Sequence, residues 1–127
     1  MPETKARTIL DLSALDYADR HVGAHHAPVH RTDELQVGVY VLDPGGRIPA
    51  HRHSTSWDIA LVLEGEIEAR IGEGEGARVV RFGAHGLNMV PPGVLHELRN
   101  AAPDAPARFL LVQSPAAGFD FLREKEE

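Results

Sequence analysis

Short runs rich in Val, Ile and Leu recur along the chain, and glycine and proline separate them. Such punctuation predicts many short strands joined by turns. Strands are expected over residues 35–42, 58–63, 67–71, 77–82, 87–90, 94–98 and 108–112. Asp43-Pro44-Gly45-Gly46 and the stretch from Gly72 to Gly76 supply turn chemistry, and Glu64-Gly65-Glu66 reads as a tight hairpin. Strands at this spacing suggest an all-β barrel or sandwich. Two stretches read differently. Residues 13–20 suggest a helical turn, and residues 119–127, with Phe119, Leu122 and a Glu/Lys/Arg run, suggest a short C-terminal helix. With no repeat and no long linker, the expected organisation is an N-terminal arm (1–34), one β-barrel (35–118) and a helical tail (119–127).

A length of 127 residues with 43% hydrophobic and 25% charged side chains is enough for one compact core and far from the composition of disorder. The net charge of −6 and the lack of a Lys/Arg-rich run argue against nucleic acid as a partner. Cys is absent, so disulfides, thiolate metal sites and a catalytic thiol are excluded, and any metal must use N and O ligands. The first residues carry no apolar stretch of signal or membrane length, which makes the cytoplasm the default expectation, with no membrane partner.

The chemistry concentrates in few positions. His51 and His53 follow the extended stretch 47–50, and residues i and i+2 of an extended chain point to one face, so both imidazoles can aim at one point. Asp58 opens the next apolar run and can add a carboxylate. His96 follows the Pro91-Pro92-Gly93 turn, and only a barrel closing on itself brings it to the pair. Three imidazoles and a carboxylate form a mixed N/O site suited to one divalent ion, Fe, Mn, Ni, Cu or Zn. A second histidine group, His21, His25, His26 and His30, falls in a polar segment (21–32) that reads as an exposed loop or arm.

These residues resemble the motifs of the cupin superfamily. The first motif reads here as Gly45, His51, His53, Asp58 and Gly65, with four residues between His53 and Asp58 and six between Asp58 and Gly65. The second reads as Pro91, Gly93, His96 and Asn100. Two positions depart from the family pattern: Asp58 stands where a glutamate is usual, and His85 where the second motif opens on glycine, which makes His85 a surface turn residue. The resemblance implies a cupin-type double-stranded β-helix, a jelly-roll barrel, with His51, His53, His96 and Asp58 on the metal.

The resemblance further implies a quercetinase-like dioxygenase, with the Ser114 to Phe119 stretch similar to the tail of small cupins of that group. The substrate expected is a small enol, phenol or diketone, with Asp58 as ligand or catalytic base. Two other classes stand beside it: a metal-assisted isomerase, epimerase or lyase on a small sugar acid or carboxylate, with Arg47, Arg52, Arg70 or Arg99 pairing the carboxylate, and a non-catalytic binding module. Strand parity puts Asp58, Ala60 and Val62 inside and Trp57, Ile59, Leu61 and Leu63 outside. So apolar an outer stripe predicts a homodimer.

Overall fold

The computed structural model describes residues 10–124. Eleven strands occur among them: β1 (Ala18–His21), β2 (Ala24–Arg31), β3 (Gln36–Leu42), β4 (Arg47–Arg52), β5 (Trp57–Glu64), β6 (Glu66–Ile71), β7 (Arg78–Gly83), β8 (Leu87–Val90), β9 (His96–Asn100), β10 (Ala107–Ser114) and β11 (Leu122–Arg123). They form two antiparallel sheets, one in the order β1-β2-β3-β10-β5-β8, the other β11-β4-β9-β6-β7. Only β1–β2, β2–β3 and β6–β7 are neighbours both in sequence and in a sheet; every other connection passes from one sheet to the other. That repeated crossing is the double-stranded β-helix expected from the sequence.

Side chains alternate as a half-buried strand requires. On β10, Ala107, Phe109, Leu111 and Gln113 are buried while the residues between them are not. On β5, Asp58, Ala60 and Val62 face inward and Trp57, Ile59, Leu61 and Leu63 outward, as parity demands. Phe109, Tyr40, Leu42, Ile48, Val62, Ile67 and Leu98 interdigitate between the sheets. Asn100 spans the barrel end: its Nδ2 donates to the carbonyls of Leu42 (3.0 Å) and Ala105 (2.8 Å), and its Oδ1 accepts from the Ala102 amide (2.8 Å). This asparagine of the second motif therefore holds the β9–β10 loop.

Four local expectations are corrected. Glu64-Gly65-Glu66 is not a hairpin, because β5 and β6 lie in different sheets. Gly65 sits at φ +80°, and a Cβ there would come within 2.5 Å of the Pro106 carbonyl oxygen, so the chain turns this corner only without a side chain. Residues 13–20 form no helix beyond a 3₁₀ turn at Leu12–Ala14, which the Asp11 carboxylate caps through the Ser13 amide; β1 follows. The short C-terminal helix is not seen among the described residues: Leu122 and Arg123 add a strand to the edge of β4, opposite Arg52 and His51, and residues 125–127 lie outside the described residues. Finally, most of the 21–32 segment is the inner strand β2, paired with β3 along its length, not an exposed loop. Its histidines concealed it, since His26 and His30 line a cavity while Ala24 alone of the strand joins the main core cluster.

Candidate metal centre

His51 and His96 face each other across the β4–β9 ladder. The register of that ladder shifts between Ile48 and His51. Residues three apart point to opposite faces of a regular strand, so this bulge lets both Ile48 and His51 turn inward. His53 lies just beyond β4. It is aimed by the C-terminal segment: its Nδ1 lies 2.6 Å from the Asp120 carbonyl oxygen, while the Asp120 carboxylate accepts from the Ser54 amide (2.7 Å) and hydroxyl (2.6 Å). Asp58 comes from β5 of the opposite sheet. All four side chains are buried, and one ligating atom from each lies within 4.8 Å of the others. The convergence expected from the sequence is thus realised.

Each histidine of the cluster has one ring nitrogen committed to a peptide carbonyl: His51 Nδ1 to Pro49 (2.7 Å), His53 Nδ1 to Asp120 (2.6 Å) and His96 Nδ1 to Val94 (3.0 Å). A carbonyl only accepts, so each Nδ1 carries a proton and each Nε2 faces the centre, where it presents a lone pair whenever its ring is neutral. His96 Nε2 then meets Asp58 Oδ2 at 2.6 Å, and His53 Nε2 is buried without a hydrogen-bond partner. Lone pairs and a carboxylate packed together call for a positive charge between them. The donor set fits a divalent cation, with His51, His53, His96 and Asp58 able to hold it.

The electrostatics divide the cluster. Burial, with the neighbouring His96 and His53, pushes His51 down to about 3, so its imidazole is neutral. Burial works against the Asp58 carboxylate, but the ring nitrogens of His53 and His96 beside it outweigh burial and hold the group below the usual range. For His53, burial is outweighed by the Asp58 carboxylate and the Asp120 carbonyl, which raise it. Gln113 Nε2 donates to Asp58 Oδ1 (3.2 Å), and Gln36 donates to Gln113 in turn.

The cluster opens onto a cavity of about 600 Å³. Its lining is partly apolar, with Ile48, Val37, Leu98, Leu111, Phe119 and Phe121. The Phe121 ring stacks on His51 (4.0 Å between centroids) and Phe119 packs on His53 (4.9 Å), so the tail, expected to be a helix without chemistry, is a wall of the site. Polar groups complete it, among them Arg20, His21, His26, His30, Gln36 and Tyr40. Alternation of His26, Pro28 and His30 at period two was the signal that could have exposed this lining. His85 is an exposed turn residue at φ 75°, as expected. Arg47, Arg52 and Arg99 pair with Glu97, Glu73 and Glu68 respectively, and Arg70 lines a second groove that His96 also borders; none of the four lines the larger cavity.

Two facing sheets with a buried three-histidine, one-carboxylate cluster beside a cavity define a jelly-roll protein with a candidate metal centre. Residues 38–113 match the cupin domain, more than half of the chain, and the chain belongs to that family. Among solved structures, it is similar to an uncharacterized conserved protein with a double-stranded β-helix domain from Klebsiella pneumoniae subsp. pneumoniae MGH 78578 (26% identity, TM-score 0.76, 92% of this chain and 98% of that one). It is also similar to TT1209 from Thermus thermophilus (28% identity, TM-score 0.70, 84% and 96% covered). The oxalate decarboxylase of Lactobacillus farciminis shares the fold at 18% identity and TM-score 0.72, with 88% of this chain and 34% of that one covered. No curated protein matches the sequence. Among the described residues, no helix is long and apolar enough to cross a membrane.

Proposed function

We propose that the chain is a metal-dependent dioxygenase that oxidises a small enolic, phenolic or diketone substrate, with both atoms of O2 entering the product. The observation that carries this reading is the set of three inward Nε2 atoms and one carboxylate beside a cavity whose lining is partly apolar. Held by His51, His53, His96 and Asp58, a divalent ion supplies Lewis acidity that polarises a substrate oxygen and lowers its pKa. The chain's own groups do the rest. Phe119, Phe121, Leu98 and Leu111 seat the carbon skeleton and keep water from the cluster. Gln113 fixes Asp58 through Oδ1, leaving Oδ2 as the atom that ligates or, once released, accepts the substrate's proton.

The polar part of the lining favours a second reading, an isomerase, epimerase or lyase on a small sugar acid or carboxylate, which proceeds without oxygen. The test is metal quantification on the purified protein, then O2 consumption with flavonols and β-diketones under Fe, Mn, Ni, Cu and Zn loading. Uptake with one of these ions supports the dioxygenase. Anaerobic turnover of hydroxy acids with no uptake replaces it by the second reading, and metal binding with turnover in neither panel leaves a ligand-binding module.

We also propose a homodimer joined through the outer face of β5 and β8. Ile59 stands opposite Met89 and Leu61 opposite Leu87, Trp57 and Leu63 extend the strip, and neither strand places a charge on this face. Leu87 is 57% exposed and Met89 53%, an uncharged surface of the kind a second copy covers. Sedimentation should give a dimer, and Met89→Glu a monomer; a monomeric wild-type protein overturns the assignment.

A further inference from the structure

The same cavity carries a cation that none of the metal chemistry uses. Arg20, on the edge strand β1, lines the same cavity as His51 and Asp58. Its guanidinium lies beside the Tyr40 phenol, and Tyr40 is itself near enough to Asp58 to feel its charge. Tyr40 is buried, braced by Phe109 (5.5 Å) on one side and His26 (4.7 Å) on the other. Arg20, Tyr40, His51 and Asp58 therefore line one cavity.

Arg20 is exposed on the edge strand and makes no ion pair: among the described residues, no carboxylate lies within 4.0 Å of its guanidinium. Asp19 borders the cavity too, but its Oδ1 is taken by His25 Nδ1 at 2.7 Å. Arg31, the other cavity arginine, reaches the Ala116 carbonyl with its Nη2 (3.4 Å). His21 and His26 are held below their ordinary value by burial and by Arg20, so they are neutral hydrogen-bonding groups there. The backbone makes room for this arrangement: a Cβ at Gly38 would fall onto the His26 ring. A planar fork beside a phenol hydroxyl in a half-enclosed cavity matches the two oxygens of a carboxylate.

We infer that Arg20 and Tyr40 form a carboxylate-binding subsite, so that the ligand of this cavity is a small organic acid whose second oxygen function points to the histidine cluster. The inference deepens the enzyme reading and rests on it for the second oxygen, but anion recognition at Arg20 stands without the metal. Within that class, 2-oxo and 2-hydroxy acids join an enolisable or chelating oxygen to a carboxylate, and a skeleton bearing an aryl or alkyl group meets Leu111 and the two phenylalanines.

Calorimetric titration of metal-free and metal-loaded protein with pyruvate and benzoylformate, against pyruvamide and benzoylformamide as uncharged controls, tests it. The acids should bind at least about 10-fold more tightly than the amides, even to metal-free protein. Arg20→Gln should remove that preference and Arg20→Lys should keep part of it, with unchanged metal content and melting temperature. Arg47→Gln, outside the cavity, should change nothing. Equal binding of acid and amide, or an Arg20→Gln protein that still prefers acids, overturns the inference whatever the metal content. A charge preference that depends on Arg20 in a protein that takes up no metal upholds the subsite and sinks the metalloenzyme reading instead.

Discussion

His51 and His96 stand opposite each other in the β4–β9 ladder with their ring centroids 4.2 Å apart, each tied through Nδ1 to a carbonyl two residues upstream. The tie is local, so the backbone of each strand end sets the tautomer of its own ring. Neither imidazole needs the ion to be in place before it points at the centre.

Single replacement of His51, His53 or His96 by Ala should therefore abolish stoichiometric metal binding with little damage to the barrel. Elemental analysis after dialysis should show affinity reduced by more than the roughly 10–100-fold that loss of an outer partner typically costs. Wild-type occupancy in all three variants would rule out this cluster as the ligand set.

Asp120 offers a more discriminating case, because it touches His53 and Ser54 but not the centre. Asp120→Ala removes the carboxylate that fixes Ser54 and loosens the loop carrying His53. Metal affinity should fall about 10–100-fold, the range for outer partners that orient a ligand, while the thermal unfolding of the metal-free protein stays close to wild type. Competition with a chelating dye reads the change.

Asn100→Ala should do the reverse. It leaves the Leu42 and Ala105 carbonyls without their donor at the barrel end, a loss of about 1–3 kcal/mol. Urea unfolding should report it as a lower midpoint at unchanged slope, and metal affinity in the folded state should be preserved. An Asn100→Ala protein as stable as wild type would show that the β9–β10 loop holds itself.

The metal-free protein should lose stability in acid through His51. Its folded value, about 3, lies below the value of 6.5 for the free side chain. The unfolded state thus binds the proton first, and the contribution of His51, complete above pH 6.5, drains away as pH falls towards 3. Asp58, also lowered by folding, adds the same sign at the acid end of that window. Chemical unfolding of His51→Leu across about pH 4 to 7 should give a flatter profile than wild type. Parallel profiles would remove His51 from the acid response.

Much of this was legible in the chain because it rests on alternation and spacing. The inward set Asp58, Ala60 and Val62 follows from a strand period of two, and the separation of His51, His53 and Asp58 carried the first motif. What stayed hidden is what a linear pattern does not encode. Gly65 looked like a hairpin because a local sequence does not say whether its two strands share a sheet. β2 looked like a loop because His26 and His30 line a cavity, so histidines occupy positions where apolar residues would mark a strand. Phe119 and Phe121 were expected on a helix, and their spacing of two instead lays both rings on the histidine cluster.

Asp58 reaches the cluster from one sheet, whereas His51 and His96 reach it from the other. An ion shared among them would rivet the two layers, and occupancy and unfolding would then be one linked equilibrium. Above half-saturation, each tenfold rise in free ion adds about 1.4 kcal/mol to the work of pulling the layers apart. Chelators would then act on this molecule as denaturants, and its melting temperature would serve as a gauge of how much metal its surroundings supply.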